Sequence, residues 1–186
     1  MSGIARRYGA NPARTRKEVL VPFILRKIRK SKWYKNEGAA WLEENDLQAD
    51  ALNDLQTKGN NLSVWHIEDD KSNLERVITA LAANSDNISN FDYVLLEINK
   101  LSKLGIKIIE NSEGAKTPDD EANRLWHCHI TELSLKKLLK LINTINDEKK
   151  ERITESQIAR LISEGIIRRQ ISRSKLSPNV LKNISI

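Results

Sequence analysis

Cysteine is nearly missing from this chain. Cys128 stands alone among 186 residues, which excludes an intramolecular disulfide framework and suits a reducing compartment, so the cytoplasm is the expected location. The 7 glycines are scattered. That removes the phosphate loops of P-loop and dinucleotide-binding proteins, which need closely spaced glycines. No nucleophile-elbow serine, HExxH motif or internal repeat is present either. Aromatic residues make up only 5%, so a core has to be built from Leu, Ile and Val. The longest apolar run, residues 19–25, contains Pro22 and falls far short of the roughly 20 residues that cross a bilayer. No membrane partner is expected.

Acidic groups are absent from residues 1–17, which carry Arg6, Arg7, Arg14, Arg16 and Lys17. The formal charge of +6 is therefore unevenly spread: residues 1–35 hold 11 Lys/Arg against 1 acid, residues 36–147 hold 11 against 20, and residues 148–186 hold 9 against 4. An acidic body with two basic ends directs attention to the ends, because clustered cations attract a polyanion and release its counterions.

Residues 1–17 show no hydrophobic period and read as a mobile basic arm. From Glu18 onward, Pro22 fits the first turn of a helix through Ile24, Leu25 and Ile28. Arg26, Lys27, Arg29, Lys30, Lys32 and Lys35 crowd that segment, with Trp33 and Tyr34 between them. Cations beside flat rings suit phosphate contact plus base stacking. The plainer reading is a solvated helix that Trp33 and Tyr34 anchor to the core. Residues 62–67 read as a strand, followed by a helix that Ser72 and Glu75 cap. A helix is expected from Ser89 through Leu101, a strand over residues 106–109, and a helix opening at Thr117 and Pro118 and running through Leu133. Ser134 and Thr154 cap two further helices. Gly165 then separates the last from a basic segment holding Arg168, Arg169 and Arg173, an outline that suggests a helix-turn-helix. Its glycine comes too late for the compact form of that motif, so a terminal helical hairpin is the alternative.

Two clusters invite a chemical reading. His66, Glu68, Asp69 and Asp70 gather three carboxylates and an imidazole at a strand exit, as a hydrated Mg²⁺ site would require. Acids before a helix N-terminus serve the dipole equally well. His127, Cys128 and His129 adjoin Trp126. On a strand the two histidines would point the same way and could grip zinc or copper; on a helix they lie about 200° apart. The flanking helical period favours the second arrangement, with His129 facing the core and no metal or other cofactor bound.

The expectation is an α+β, mainly helical protein of about six to eight helices with a small sheet of about two or three short strands. It divides into the arm at 1–17, a main globular domain at 18–146, and a basic C-terminal helical segment at 147–186 packed on that domain. The expected function is non-enzymatic association with nucleic acid, DNA ahead of RNA, as an accessory or regulatory protein. Arg26, Lys27, Arg29, Lys30, Lys32, Trp33, Tyr34, Lys35, Arg168, Arg169 and Arg173 would make the contacts. One alternative is an interaction subunit or antitoxin-like regulator that binds an acidic protein. Another is a small metal-dependent nuclease or hydrolase using the His66 cluster.

Overall fold

The structure, a computed structural model, describes residues 23–34, 42, 47–110 and 115–184. The arm expected at 1–17 and the predicted contact residue Lys35 lie outside them. Phe23–Ile28 (β1), Leu62–Ile67 (β2), Phe91–Glu97 (β3), Lys107–Glu110 (β4), His127–Thr131 (β5) and Lys150–Ile153 (β6) join in one antiparallel sheet of order β4-β5-β2-β1-β3-β6. The helices are Leu74–Ala83 (α1), Ile98–Lys103 (α2), Asp120–Trp126 (α3), Leu135–Asp147 (α4), Glu155–Ile167 (α5) and Pro178–Lys182 (α6). Helices α1, α3, α5 and α6 cover one face through Val77, Ile78, Trp126, Ile158, Ile162 and Val180. The 3-10 segment Ala49–Leu55, α2 and α4 cover the other through Leu55, Leu101, Leu141 and Ile145.

The expected sheet of two or three short strands is overturned by this six-stranded one. Residues 23–28, 91–97 and 127–131, read as helical from their apolar spacing, are strands, and the charged connector after α4 contains edge strand β6. The reason lies in the burial. Phe91, Asp92, Tyr93 and Val94 are consecutive and all buried, because a strand covered on both faces is buried without alternation, and its apolar residues Tyr93, Val94, Leu95 and Leu96 then form an unbroken run. Such a run is ambiguous with a helix until its partners are known. β6 escapes notice for the opposite reason: KERI is charged, as solvent-facing edges commonly are.

Helix starts are more local. Ser134 accepts from the Lys137 amide, and Thr154 forms a full capping box with Gln157. Two others shift by a residue or more: α1 begins after Asn73, and Asp119, not Thr117, accepts from the Ala122 amide at the start of α3.

The helix-turn-helix outline fails at Gly165. α5 continues through it to Ile167, and the chain then turns into the short 3-10 segment Arg173–Lys175 and α6, so no basic recognition helix follows. Gly165 is instead a contact point, since a Cβ there would lie 2.8 Å from Ile171 Cγ1 and 3.4 Å from Thr79 Cγ2. Gly165→Ala is expected to lower stability by about 1–2 kcal/mol through overpacking, despite alanine's better helix propensity. A urea unfolding curve would check this, and an unchanged or higher midpoint would show that Ile171 yields freely.

Candidate functional site

The two central strands part company at one end. β1 and β2 pair only at Phe23↔Ile67, Ile24↔His66 and Leu25↔Trp65, whereas β1 pairs with β3 along its whole length. A ladder interrupted inside a sheet leaves backbone groups that need other partners. Arg26 supplies them: its Nη1 donates to the Ser63 carbonyl at 2.7 Å and its Nε to the Asp54 carbonyl at 2.8 Å, with Nη2 also on Asp54. Burial lowers the pKa of this guanidinium against the opposing pull of Asp54.

A cavity of about 290 Å³ occupies the gap, lined by Arg26, Lys27, Arg29, Asp54, Ser63 and Trp65 among others. Lys27 and Arg29 are exposed at its edge. Lys27 Nζ lies 5.2 Å from the centre of the Phe91 ring and 3.5 Å from Ser85 Oγ. Its pKa is lowered first by burial and then by the charges of Arg29 and Arg26, with Asp54 opposing. The one carboxylate among the described lining residues is already engaged, because Asp54 Oδ2 accepts from the Arg29 amide at 2.7 Å and from Trp33 Nε1 at 2.9 Å. Among the described residues, none of Arg26, Lys27, Arg29 and Lys30 forms an ion pair with a carboxylate. Like charges crowded in this way favour an incoming anion.

Behind Ser63 of the cleft wall lie the histidines of β5. Because residues 127–131 form a strand, His127 and His129 do share a face, contrary to the helical reading; their ring centres are 4.8 Å apart. His127 is buried, its ring centre 5.3 Å from that of Trp65, and its Nε2 lies 2.8 Å from Ser63 Oγ. Burial, and then His129, lower its pKa to about 4. The ring is therefore neutral at pH 7, and in the Nδ1–H tautomer Nε2 accepts the Ser63 hydroxyl proton. Below its ordinary value of 6.5 the unfolded chain binds a proton that the folded chain refuses. Stability should fall as pH drops from 6.5 towards 4, by roughly 2 kcal/mol once screening by water is allowed for, and level off below that window. Unfolding midpoints at pH 7 and pH 4 would test this against His127→Gln, which should lose that part of the pH dependence. An equal pH response in both chains would refute it.

The predicted contact residues separate into groups. Arg26 and Trp33 work inside the fold; Trp33 is 1% exposed. Lys32 is paired with Asp50 at 2.7 Å. Lys27 and Arg29 line the cleft, whereas Lys30 and Tyr34 form a separate group with Lys150 of β6, the two ammonium groups 5.5 and 5.3 Å from the Tyr34 ring centre. Arg168, Arg169 and Arg173 lie elsewhere. α5 starts where the Glu155 amide meets Asn90 beside the beginning of β3. It then runs its 13 residues towards the far end of the sheet, about 20 Å at the helical rise. Among the described residues, Arg168 borders a different cavity from Lys27 and Arg29, while Lys150 of the C-terminal segment does meet Tyr34.

Arg168 instead borders a cavity of about 310 Å³ with Arg76, Asp119 and Glu164. Its charges are already matched: Arg76 bonds Asp119 and Glu121, both at 2.7 Å, and Arg168 meets Glu164 at 3.3 Å. The His66 cluster is dispersed as well. Glu68 Oε2 accepts from Ser72 Oγ, Asp70 Oδ1 from the Ser72 amide, and His66 Nδ1 lies 3.6 Å from Cys128 Sγ on the opposite sheet face from His127. Among the described residues no group of three or more His, Cys, Asp or Glu is placed to hold a metal ion. Nor is any helix among them long and apolar enough to cross a membrane.

Comparison with known proteins yields no match. No family model fits the chain, and no curated protein or solved structure is significantly similar to it. The sequence reading missed Ser63 and Asp54. Both are small polar residues whose part depends on strands and turns distant in the chain, and nothing in their own neighbourhood signals it.

Proposed function

We propose that this protein associates with nucleic acid without transforming it, through the cationic cleft between β1 and β2 and a separate group of Lys30 and Tyr34 beside Lys150 of β6. The observation that carries the reading is the crowding of Arg26, Lys27 and Arg29 around a cavity whose one carboxylate among the described residues, Asp54, accepts from the Arg29 backbone amide and the Trp33 indole. The target favoured is a single strand, DNA ahead of RNA. Tyr34, 44% exposed, offers a ring for an unpaired base, and among the described residues no recognition helix supports reading a duplex groove. Cytoplasmic residence belongs to the same proposal, supported by the lone thiol of Cys128.

Binding should be modest and salt-dependent. With about three phosphate contacts, log K is expected to fall against log salt with a slope near −2 for a single strand. Anisotropy of labelled single-stranded DNA, duplex DNA and RNA across a salt series would measure it. The Lys27→Glu/Arg29→Glu double variant should reduce affinity about 100-fold or more by reversing two of the three charges. Absence of binding at low salt, or an unaffected double variant, would defeat the proposal.

One surface favours a second reading. On α4, Leu135 and Leu139 are 73% and 55% exposed, one helical turn apart and beside Lys136 and Lys140, which suits a partner protein with an apolar, acidic face. Protection of this helix by a co-purifying protein, and not by oligonucleotide, would support it.

A further inference from the structure

We propose that the β1–β2 cleft is an end-recognition pocket, which takes the phosphate monoester of a nucleotide in preference to an internal phosphodiester. The proposal deepens the nucleic-acid reading and rests on it for the identity of the ligand.

Two independent features point to a terminal group. The first is shape. The cleft is closed where Leu25 pairs with Trp65, and Arg26 spans the gap between the strands from β1 to the Ser63 carbonyl. With that end closed by the pairing, a chain terminus fits the notch more readily than a strand running on between β1 and β2. The volume of about 290 Å³ is at the small end for ligand pockets, which begin near 300 Å³, so it suits one phosphate and part of one nucleoside. The second is charge. Among the described residues that line the cleft, Arg26, Lys27 and Arg29 meet one carboxylate, Asp54, an excess of two positive charges. A phosphodiester brings one negative charge, whereas a phosphate monoester brings about 1.5 to 2 at neutral pH.

The residues divide the work by position. Lys27 and Arg29, exposed at the rim, can swing onto phosphate oxygens, with Arg29 offering the bidentate fork. Arg26 is already committed to two carbonyls and acts as a fixed positive field behind them. Ser63 is held by His127 at 2.8 Å. That bond fixes the hydroxyl on the inner wall, and Trp65 forms an apolar side on which the sugar or base edge can rest. The site selects for what the phosphate carries as well as for the phosphate.

The experiment compares octanucleotides of one sequence bearing a 5′-phosphate, a 3′-phosphate or hydroxyl ends, together with adenosine monophosphate and inorganic phosphate as competitors. Dissociation constants would come from anisotropy and calorimetry on the full chain. A terminal phosphate is expected to improve affinity about tenfold or more. Lys27→Gln and Arg29→Gln should each remove most of that advantage while leaving the far-ultraviolet circular dichroism unchanged. Both substitutions are at exposed positions, so the fold should survive them. Competition by adenosine monophosphate at an affinity close to that of the phosphorylated oligonucleotide would identify a free nucleotide as the source, and a much weaker effect would identify a strand end; either supports the pocket. Binding of adenosine monophosphate without binding of any oligonucleotide would keep the pocket and discard nucleic-acid association. Equal affinity for phosphorylated and hydroxyl-ended strands, with no competition by the mononucleotide, would overturn the pocket and leave nucleic-acid association standing. No binding by any of these probes would overturn both.

Discussion

Trp33→Ala is expected to destabilise the protein by about 3–5 kcal/mol, the range for emptying a core site of an aromatic side chain. Trp33 is 1% exposed and belongs to the core that β1, β3 and α4 share. Its indole N–H is also one of the two donors that Asp54 Oδ2 accepts. The conservative replacement separates these contributions: Trp33→Phe keeps most of the packing, loses the hydrogen bond to a charged acceptor, and should forfeit about 1.5–3 kcal/mol. Urea unfolding of both variants would measure the difference. If Trp33 instead stacked on a nucleic-acid base, Trp33→Ala would weaken binding while leaving the unfolding midpoint in place, an outcome that would reverse its assignment to the core.

Arg26→Leu carries the next largest effect, about 2–4 kcal/mol. The side chain is the donor for the Ser63 and Asp54 carbonyls where the β1–β2 ladder stops, and a buried acceptor left without a partner is worth about 1–3 kcal/mol. Water entering the adjoining cavity offsets part of the loss, which keeps the estimate below the sum of two full penalties. Arg26→Lys retains the charge but cannot span both carbonyls with a rigid fork, and it should fall between leucine and the original chain. Chemical unfolding checks the order. A leucine variant within about 0.5 kcal/mol of the original would mean that the gap closes by itself and that Arg26 is no wedge.

These two residues show how charge density misleads when it is read along the chain. Arg26 and Lys27 are neighbours in sequence, yet on a strand they point to opposite faces. Both line the cleft, but the first is consumed by the Ser63 and Asp54 carbonyls and the second stands exposed at its edge. Lys30 contributes its amide to Asp92 at 2.9 Å while its ammonium lies over Tyr34, so even one residue divides between framework and surface. The same face rule decides the histidines. His127 and His129 come together only because residues 127–131 pair with β2 on one side and β4 on the other. The helical spacing around them had separated the rings.

What the sequence by itself determined is local. The strand at residues 62–67, the helix starts at Ser134 and Thr154, and the uneven charge follow from spacing, capping chemistry and composition, each of which acts within a few residues. What only the tertiary structure decided is everything that depends on partners far along the chain: six strands in place of two or three, two covered sheet faces, and a ladder that opens between β1 and β2. The physical reason is that a β-strand satisfies its backbone outside its own segment, so its sequence records burial but not pairing. The cleft exists because Asp54, Ser63 and Arg26 meet across that pairing.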